Sequence, residues 1–178
     1  LLFLWKGLKT PEEDLSGKEV PVSKDFDIDY SRINRVVPGE STREDVERIN
    51  GKPRKVITKD NKTYLYYRTP SSDYENIVFL ENNKVVYAKE EVFRGRRGTY
   101  NDYLKKYGNP SLTLYDHDTG LDLEWAIFLS YGVVVSHINN YVSSVVFFVP
   151  QDEETFLKKI AEDLRMMREP REKSPEEY

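Results

Sequence analysis

The sequence predicts an α+β fold: two tandem helix-plus-antiparallel-sheet repeats followed by a C-terminal helix. Three observations predict it. Short apolar runs alternate with polar turns in hairpin fashion. Each set of hairpins is preceded by a short helix signature. The whole passage then recurs at a constant offset of about 57 positions.

The first helix signature begins at Ser41 or Thr42, either of which can cap it. Glu44 and Asp45 lie in the first turn, where the helix dipole favours negative charge. Val46 and Ile49 share one face, and Asn50-Gly51-Lys52-Pro53 stops the helix because Gly51 can turn left-handed and Pro53 blocks continuation. Val56-Ile57-Thr58, the polar turn Lys59–Lys62 and Thr63–Tyr67 then read as a hairpin. After a loop with Pro70 to Asp73, Ile77–Leu80, the turn Glu81–Lys84 and Val85–Ala88 read as a second.

The grammar repeats. Thr99 can cap a helix with Asp102 near its start, Tyr103, Leu104 and Tyr107 give it an apolar face, and Gly108-Asn109-Pro110 ends it. Leu112–Tyr115, the turn Asp116–Gly120 and Leu121–Trp125 form the third hairpin, and Val133–Val135 through Asn139-Asn140 to Val142–Val149 the fourth. Thr42 falls on Thr99, Asp45 on Asp102, Gly51 on Gly108, Pro53 on Pro110 and Asn82-Asn83 on Asn139-Asn140, with no insertion. Tyr64 and Tyr66 fall on Leu121 and Leu123, which keeps the inward-facing set in register. One such unit has little core and bare edges, whereas two side by side bury more area and can share a wider sheet.

Residues 1–32 read as a hydrophobic end and tether, 33–94 as the first repeat, 95–150 as the second, 151–168 as a C-terminal helix and 169–178 as a disordered tail. In the last helix Phe156, Ile160 and Leu164, with Leu157, Ala161 and Met167, make an apolar stripe that packs on the protein's own sheet or on a partner. Within the tether, Asp25-Phe26-Asp27-Ile28-Asp29-Tyr30 alternates polar and apolar, the pattern of a short strand able to dock on the sheet. Leu1, Leu2, Phe3, Leu4 and Trp5, followed by Lys6, are too few to span a bilayer, which takes about twenty residues. They read as the end of a membrane anchor, with Trp and Lys at the interface, or as a short apolar element packed on the domain.

Of 178 residues, 38% are hydrophobic and 33% charged, which excludes a wholly disordered chain. The net charge of −4 argues against nucleic acid as a partner; the basic group Arg94, Arg96 and Arg97 reads as a solvated linker. The absence of cysteine excludes disulfides, thiolate metal sites and cysteine nucleophiles.

The run Pro38-Gly39-Glu40-Ser41-Thr42, then Asp45-Val46, Asn50-Gly51-Lys52-Pro53 and Tyr64-Leu65-Tyr66-Tyr67 resembles the BamE/SmpA/OmlA lipoproteins. Two such units in tandem resemble the β-lactamase inhibitor protein (BLIP) arrangement. The resemblance covers roughly 33–150 and implies an extracytoplasmic location and action by protein–protein contact. Departures are the missing lipid-anchor cysteine and the missing cysteine pairs that brace the inhibitors.

Reactive chemistry is sparse. Asp116, Asp118, Asp122 and Glu124 offer hard oxygen ligands, but their spacing does not match an EF-hand loop and a polar hairpin explains them. His117 and His137 are the only imidazoles, and neither sits in a recognisable triad context. Gly95-Arg96-Arg97-Gly98 lacks the pattern of a phosphate loop. No metal and no cofactor is expected. The thirteen tyrosines are the remaining signal, since tyrosine gives rigid contact area with a hydrogen-bonding tip. The expectation is a non-catalytic cell-envelope module that binds or scaffolds a protein partner through its sheet surface. Its contact residues would be Tyr64, Tyr66, Tyr67, Tyr115, Asp116, His117, Asp118 and Trp125, and its membrane end Leu1–Trp5. The alternatives are an enzyme inhibitor that presents the Asp116–Asp118 turn, and a hydrolase acting through Asp and His.

Overall fold

The computed structural model of the protein describes residues 35–69, 74–92, 97–116 and 123–169. Helix α1 (Arg43–Asn50) is followed by β1 (Lys55–Lys59), β2 (Lys62–Arg68), β3 (Glu75–Glu81) and β4 (Lys84–Glu91). Helix α2 (Tyr100–Tyr107) is followed by β5 (Leu112–Asp116), β6 (Glu124–Phe128), β7 (Val133–Ile138) and β8 (Tyr141–Phe148). A single helical turn, α3 (Glu153–Phe156), opens the C-terminal segment and a two-residue strand, β9 (Met166–Met167), closes it. Among the described residues nine strands join in one antiparallel sheet, in the order β1-β2-β3-β4-β8-β7-β6-β5-β9. None of the helices among the described residues is long and apolar enough to cross a membrane.

This topology corrects the expected α+β pair of helix-plus-sheet repeats. Strands β4 and β8 pair from Tyr87↔Phe148 to Glu91↔Ser144, so the two meanders meet as one continuous sheet. The helices are two turns each, and the core is built mainly by strands. The predicted helix over 151–168 is shorter than expected. It runs from Glu153 through α3 and continues, one residue per turn wider, as a π-helix at Leu157–Ala161; Arg165 then turns to a left-handed φ of 53°, and β9 pairs with β5. A residue other than glycine in that conformation ends a right-handed helix, and the ladder to β5 covers a sheet edge that would otherwise be bare.

Register divides the sheet into two faces. Ala88 and Phe147 are cross-strand partners. Ala88 packs with Val46 of α1, and Phe147 with Tyr103 and Tyr107 of α2, so both helices cover the same face. The neighbouring pair, Tyr87 and Phe148, points the other way and is covered by Phe156, Ile160 and Ala161. Asp163 anchors this cover by accepting hydrogen bonds from the Tyr64 hydroxyl (2.5 Å) and the Tyr87 hydroxyl (2.7 Å). Burial, with Asp163 beside them, pushes both phenols well above their ordinary pKa.

Helix α1 buries only Val46 completely and leans on its cap. The Asp45 carboxylate accepts from the Thr42 backbone N–H at 3.1 Å and from the Arg48 guanidinium at 2.6 Å. These bonds, the backbone one first, hold its pKa down at about 2. An unfolded Asp titrates at about 3.9, so this stabilisation is complete above that value and is lost as pH falls through the folded one. The stability advantage of the native chain over Asp45→Asn is therefore expected to shrink between pH of about 4 and 2, read from urea midpoints. An advantage that stays constant over this window would refute the assignment.

Candidate functional site

On the face opposite α1 and α2, the C-terminal segment covers one part of the sheet, and among the described residues nothing packs over the part near the ends of β4, β6 and β8. A cavity of about 380 Å³ lies there, within the size range of ligand pockets. The floor is a row of cross-strand partners: Glu91 opposite Ser144, Ser144 opposite Ser136, and Ser136 opposite Trp125. Register slips between Ser136 and His137, so that Ser136 pairs with Ser144 but His137 with Val142. This bulge gives β8 one extra residue and brings Ser143 to the cavity beside Ser144. The Ser143 hydroxyl donates to the Ser136 carbonyl at 3.2 Å and lies 2.8 Å from the Ser136 hydroxyl.

The lining carries one cation, Lys89, and two carboxylates, Glu91 and Asp116. The Lys89 ammonium lies 2.7 Å from Glu91 and 5.8 Å above the Trp125 ring. Trp125 is 4% exposed, and its indole N–H has no hydrogen-bond partner among the described residues. A buried donor without a partner is unfavourable by about 1–3 kcal/mol, so this one marks a place where an acceptor from outside is favoured. At the mouth stand Tyr74 and Tyr141, 59% and 54% exposed. Asp116 and Leu123 complete one wall.

Of the residues singled out from the sequence, the structure brings Asp116 and Trp125 together at this cavity. Tyr64 shares the same face but stacks on Phe79 at 4.7 Å beneath the C-terminal segment. Tyr66 is half-buried under Lys55. Tyr67 faces the other way into the α1 core, where burial pushes its pKa up to about 12. Tyr115 is half-buried on β5 between Glu124 and Met167. His117, Asp118 and the apolar end Leu1–Trp5 lie outside the described residues. Lys89, Glu91, Ser136, Ser143, Ser144, Tyr74 and Tyr141 were not singled out. Two signals could have found most of them: paired charges two apart on β4, and consecutive serines inside a valine-rich strand.

His137 does not line the cavity. It stacks on Tyr100 of α2 at 3.6 Å between ring centroids, on the opposite face. Its Nδ1 donates to the Asn139 carbonyl at 3.0 Å, and Nε2 sits 3.9 Å from Glu124. Burial lowers its pKa, opposed in part by the Asn139 bond and by Glu124. Among the described residues, no three His, Asp or Glu side chains converge as metal ligands.

The fold and site together define a β-sheet protein with a half-covered face and an amphipathic cavity. No protein-family model matches the chain, and no curated protein matches it. Among solved structures it is similar to an extracellular protein containing a SCP domain from Bacillus anthracis str. Ames, with 14% identity and a TM-score of 0.43. The match covers 97% of this chain and 57% of that one, so the chain spans a little over half that protein's length. A likeness this slight transfers neither fold nor function.

Proposed function

We propose that the chain is a non-catalytic binding or scaffolding module of a cell envelope, acting through protein–protein contacts of its uncovered sheet face. One observation carries this reading: the cavity joins an indole N–H without a partner among the described residues to a mouth of two exposed tyrosines. That combination suits an inserted side chain or backbone carbonyl from a partner, with the tyrosines supplying flat contact area. The apolar run Leu1–Trp5 supports placement at a membrane. A hydrolase site built on His137 gains no support, because His137 is on the other face from Glu91 and Asp116; His117 lies outside the described residues.

Photo-crosslinking in native membranes tests the proposal. A benzophenone amino acid in place of Tyr74 or Tyr141 is expected to capture one discrete protein. The same group in place of Lys105, exposed on α2, should capture none. Equal labelling from all three positions, or none from the two at the cavity mouth, would overturn it.

A further inference from the structure

Among the described residues the sheet ends in β9 on one side and in β1 on the other, and all five residues of β1 are exposed. Lys59 and Lys62 are cross-strand partners that close a two-residue turn. Such a pair exchanges backbone hydrogen bonds, and bonded positions alternate along the strand, so Lys55 and Ile57 also bond to β2. Val56 and Thr58 therefore turn their N–H and C=O groups away from β2, to the outer side. An edge of this kind can take up a further strand. It is also chemically distinctive. Within residues 52–62 stand Lys52, Arg54, Lys55, Lys59 and Lys62 against the single acid Asp60, in a chain whose net charge is −4. Lys55 pairs with Tyr66 and Ile57 with Tyr64, so Lys55, Ile57 and Lys59 lie on the face that carries Tyr64. The Arg54 guanidinium is taken up by Glu75 at 3.1 Å. Lys55 lies 5.3 Å above the Tyr66 ring, and neither Lys55 nor Lys59 forms an ion pair among the described residues.

We propose that the β1 edge binds an extended acidic segment of a partner protein as an added strand. Two carboxylates of that segment stand opposite Lys55 and Lys59, with an apolar residue between them opposite Ile57. In a strand, residues at even spacing share a face, so the matching pattern is acid-x-apolar-x-acid, which reads the same in either direction. Backbone bonds to Val56 and Thr58 hold the segment, and the two cross-strand charge pairs select it. A second copy of β1 fits poorly, because pairing in full register would set Lys55 against Lys59 at both ends. The edge is separate from the cavity. Strand β1 is three strands away from β4, which carries the cavity's Lys89 and Glu91, so this contact does not depend on the one proposed there.

The probe is the end-capped peptide Thr-Glu-Thr-Val-Thr-Glu-Thr, titrated into the full chain and followed by the backbone amide signals in NMR. Saturable shifts along β1 and β2 are expected, with slower exchange of the Val56 and Thr58 amides. Lys55→Glu combined with Lys59→Glu should weaken binding about tenfold, and the peptide with lysine in place of both glutamates should bind that variant instead. Val56→Pro keeps every charge and every bond to β2 while removing an outward N–H, and should also weaken binding about tenfold. Thr58→Pro gives the same test at the second outward position. Tyr141→Ala, at the cavity mouth, should leave binding unchanged. Failure to saturate at millimolar peptide overturns the proposal, as do shifts centred on the cavity. Binding that survives the charge reversal, or that survives both proline variants, overturns it as well, since the peptide would then be held by something other than a matched strand edge.

Discussion

Arg97→Ala is expected to lower the stability of the fold by about 3–5 kcal/mol, the usual consequence of removing one member of a buried ion pair. Arg97 and Glu90 are 4% and 2% exposed, with a guanidinium nitrogen 2.5 Å from the carboxylate. The guanidinium also lies 5.8 Å from the centre of the Phe147 ring. Glu90 is on β4 and Phe147 on β8, so Arg97 is held at the seam where the two meanders meet. Alanine would leave the Glu90 carboxylate in a site from which water is largely excluded. Replacing both, as Glu90→Leu with Arg97→Met, should recover most of the loss, because an apolar pair of similar volume carries no desolvation penalty. Urea denaturation of the two single variants and the double variant checks this. If Arg97→Ala shifts stability by less than about 1 kcal/mol, the pair is behaving as a surface contact and the seam is held by packing alone.

That pair illustrates which features the sequence makes legible. Arg97 reads there as part of a basic linker with Arg94 and Arg96, because a local charge run carries no sign of a carboxylate seven positions upstream that ends on a buried strand face. Hairpins were readable because their signals are local: Lys59–Lys62 and Glu81–Lys84 are polar turns between β-branched runs, and Asp60, Asn82 and Asn83 take the positive φ such turns require. The helix caps were readable for the same reason, with Thr42 and Asp45 and then Thr99 and Asp102 three apart. The pairing of β4 with β8 was not, since it joins strands more than fifty positions apart and depends on which edges are left over after the hairpins form. The site follows the same division. Trp125 and Asp116 could be named from the sequence, but the serine row beneath them depends on a bulge in β8 and on three cross-strand partnerships. Tyr67 shows the converse error. Its neighbours Tyr64 and Tyr66 share the other face, and one residue of alternation is enough to send it into the core.

Phe156→Ala should have an effect of similar size for a different reason. The ring is fully buried and packs against Phe148 at 5.1 Å, among Phe79, Tyr87 and Ile127. Truncating such a side chain costs about 3–5 kcal/mol through lost burial and the cavity left behind. The loss falls on the segment that covers half of the sheet face. With Phe156 gone, that cover retains Ile160, Ala161 and the two phenol bonds to Asp163, and β9 is tied to β5 by two residue pairs. Hydrogen exchange is therefore expected to accelerate first in 153–167, with β7 and β8 protected until global unfolding. The uncovered Tyr64, Phe79 and Tyr87 would extend the apolar surface next to the cavity, so the variant should also bind a hydrophobic dye and self-associate. Uniform acceleration across all strands would show instead that the C-terminal segment is integral to the core. In that case the open cavity and the covered half would belong to one cooperative unit, and the division of the sheet face into cover and binding surface would fail.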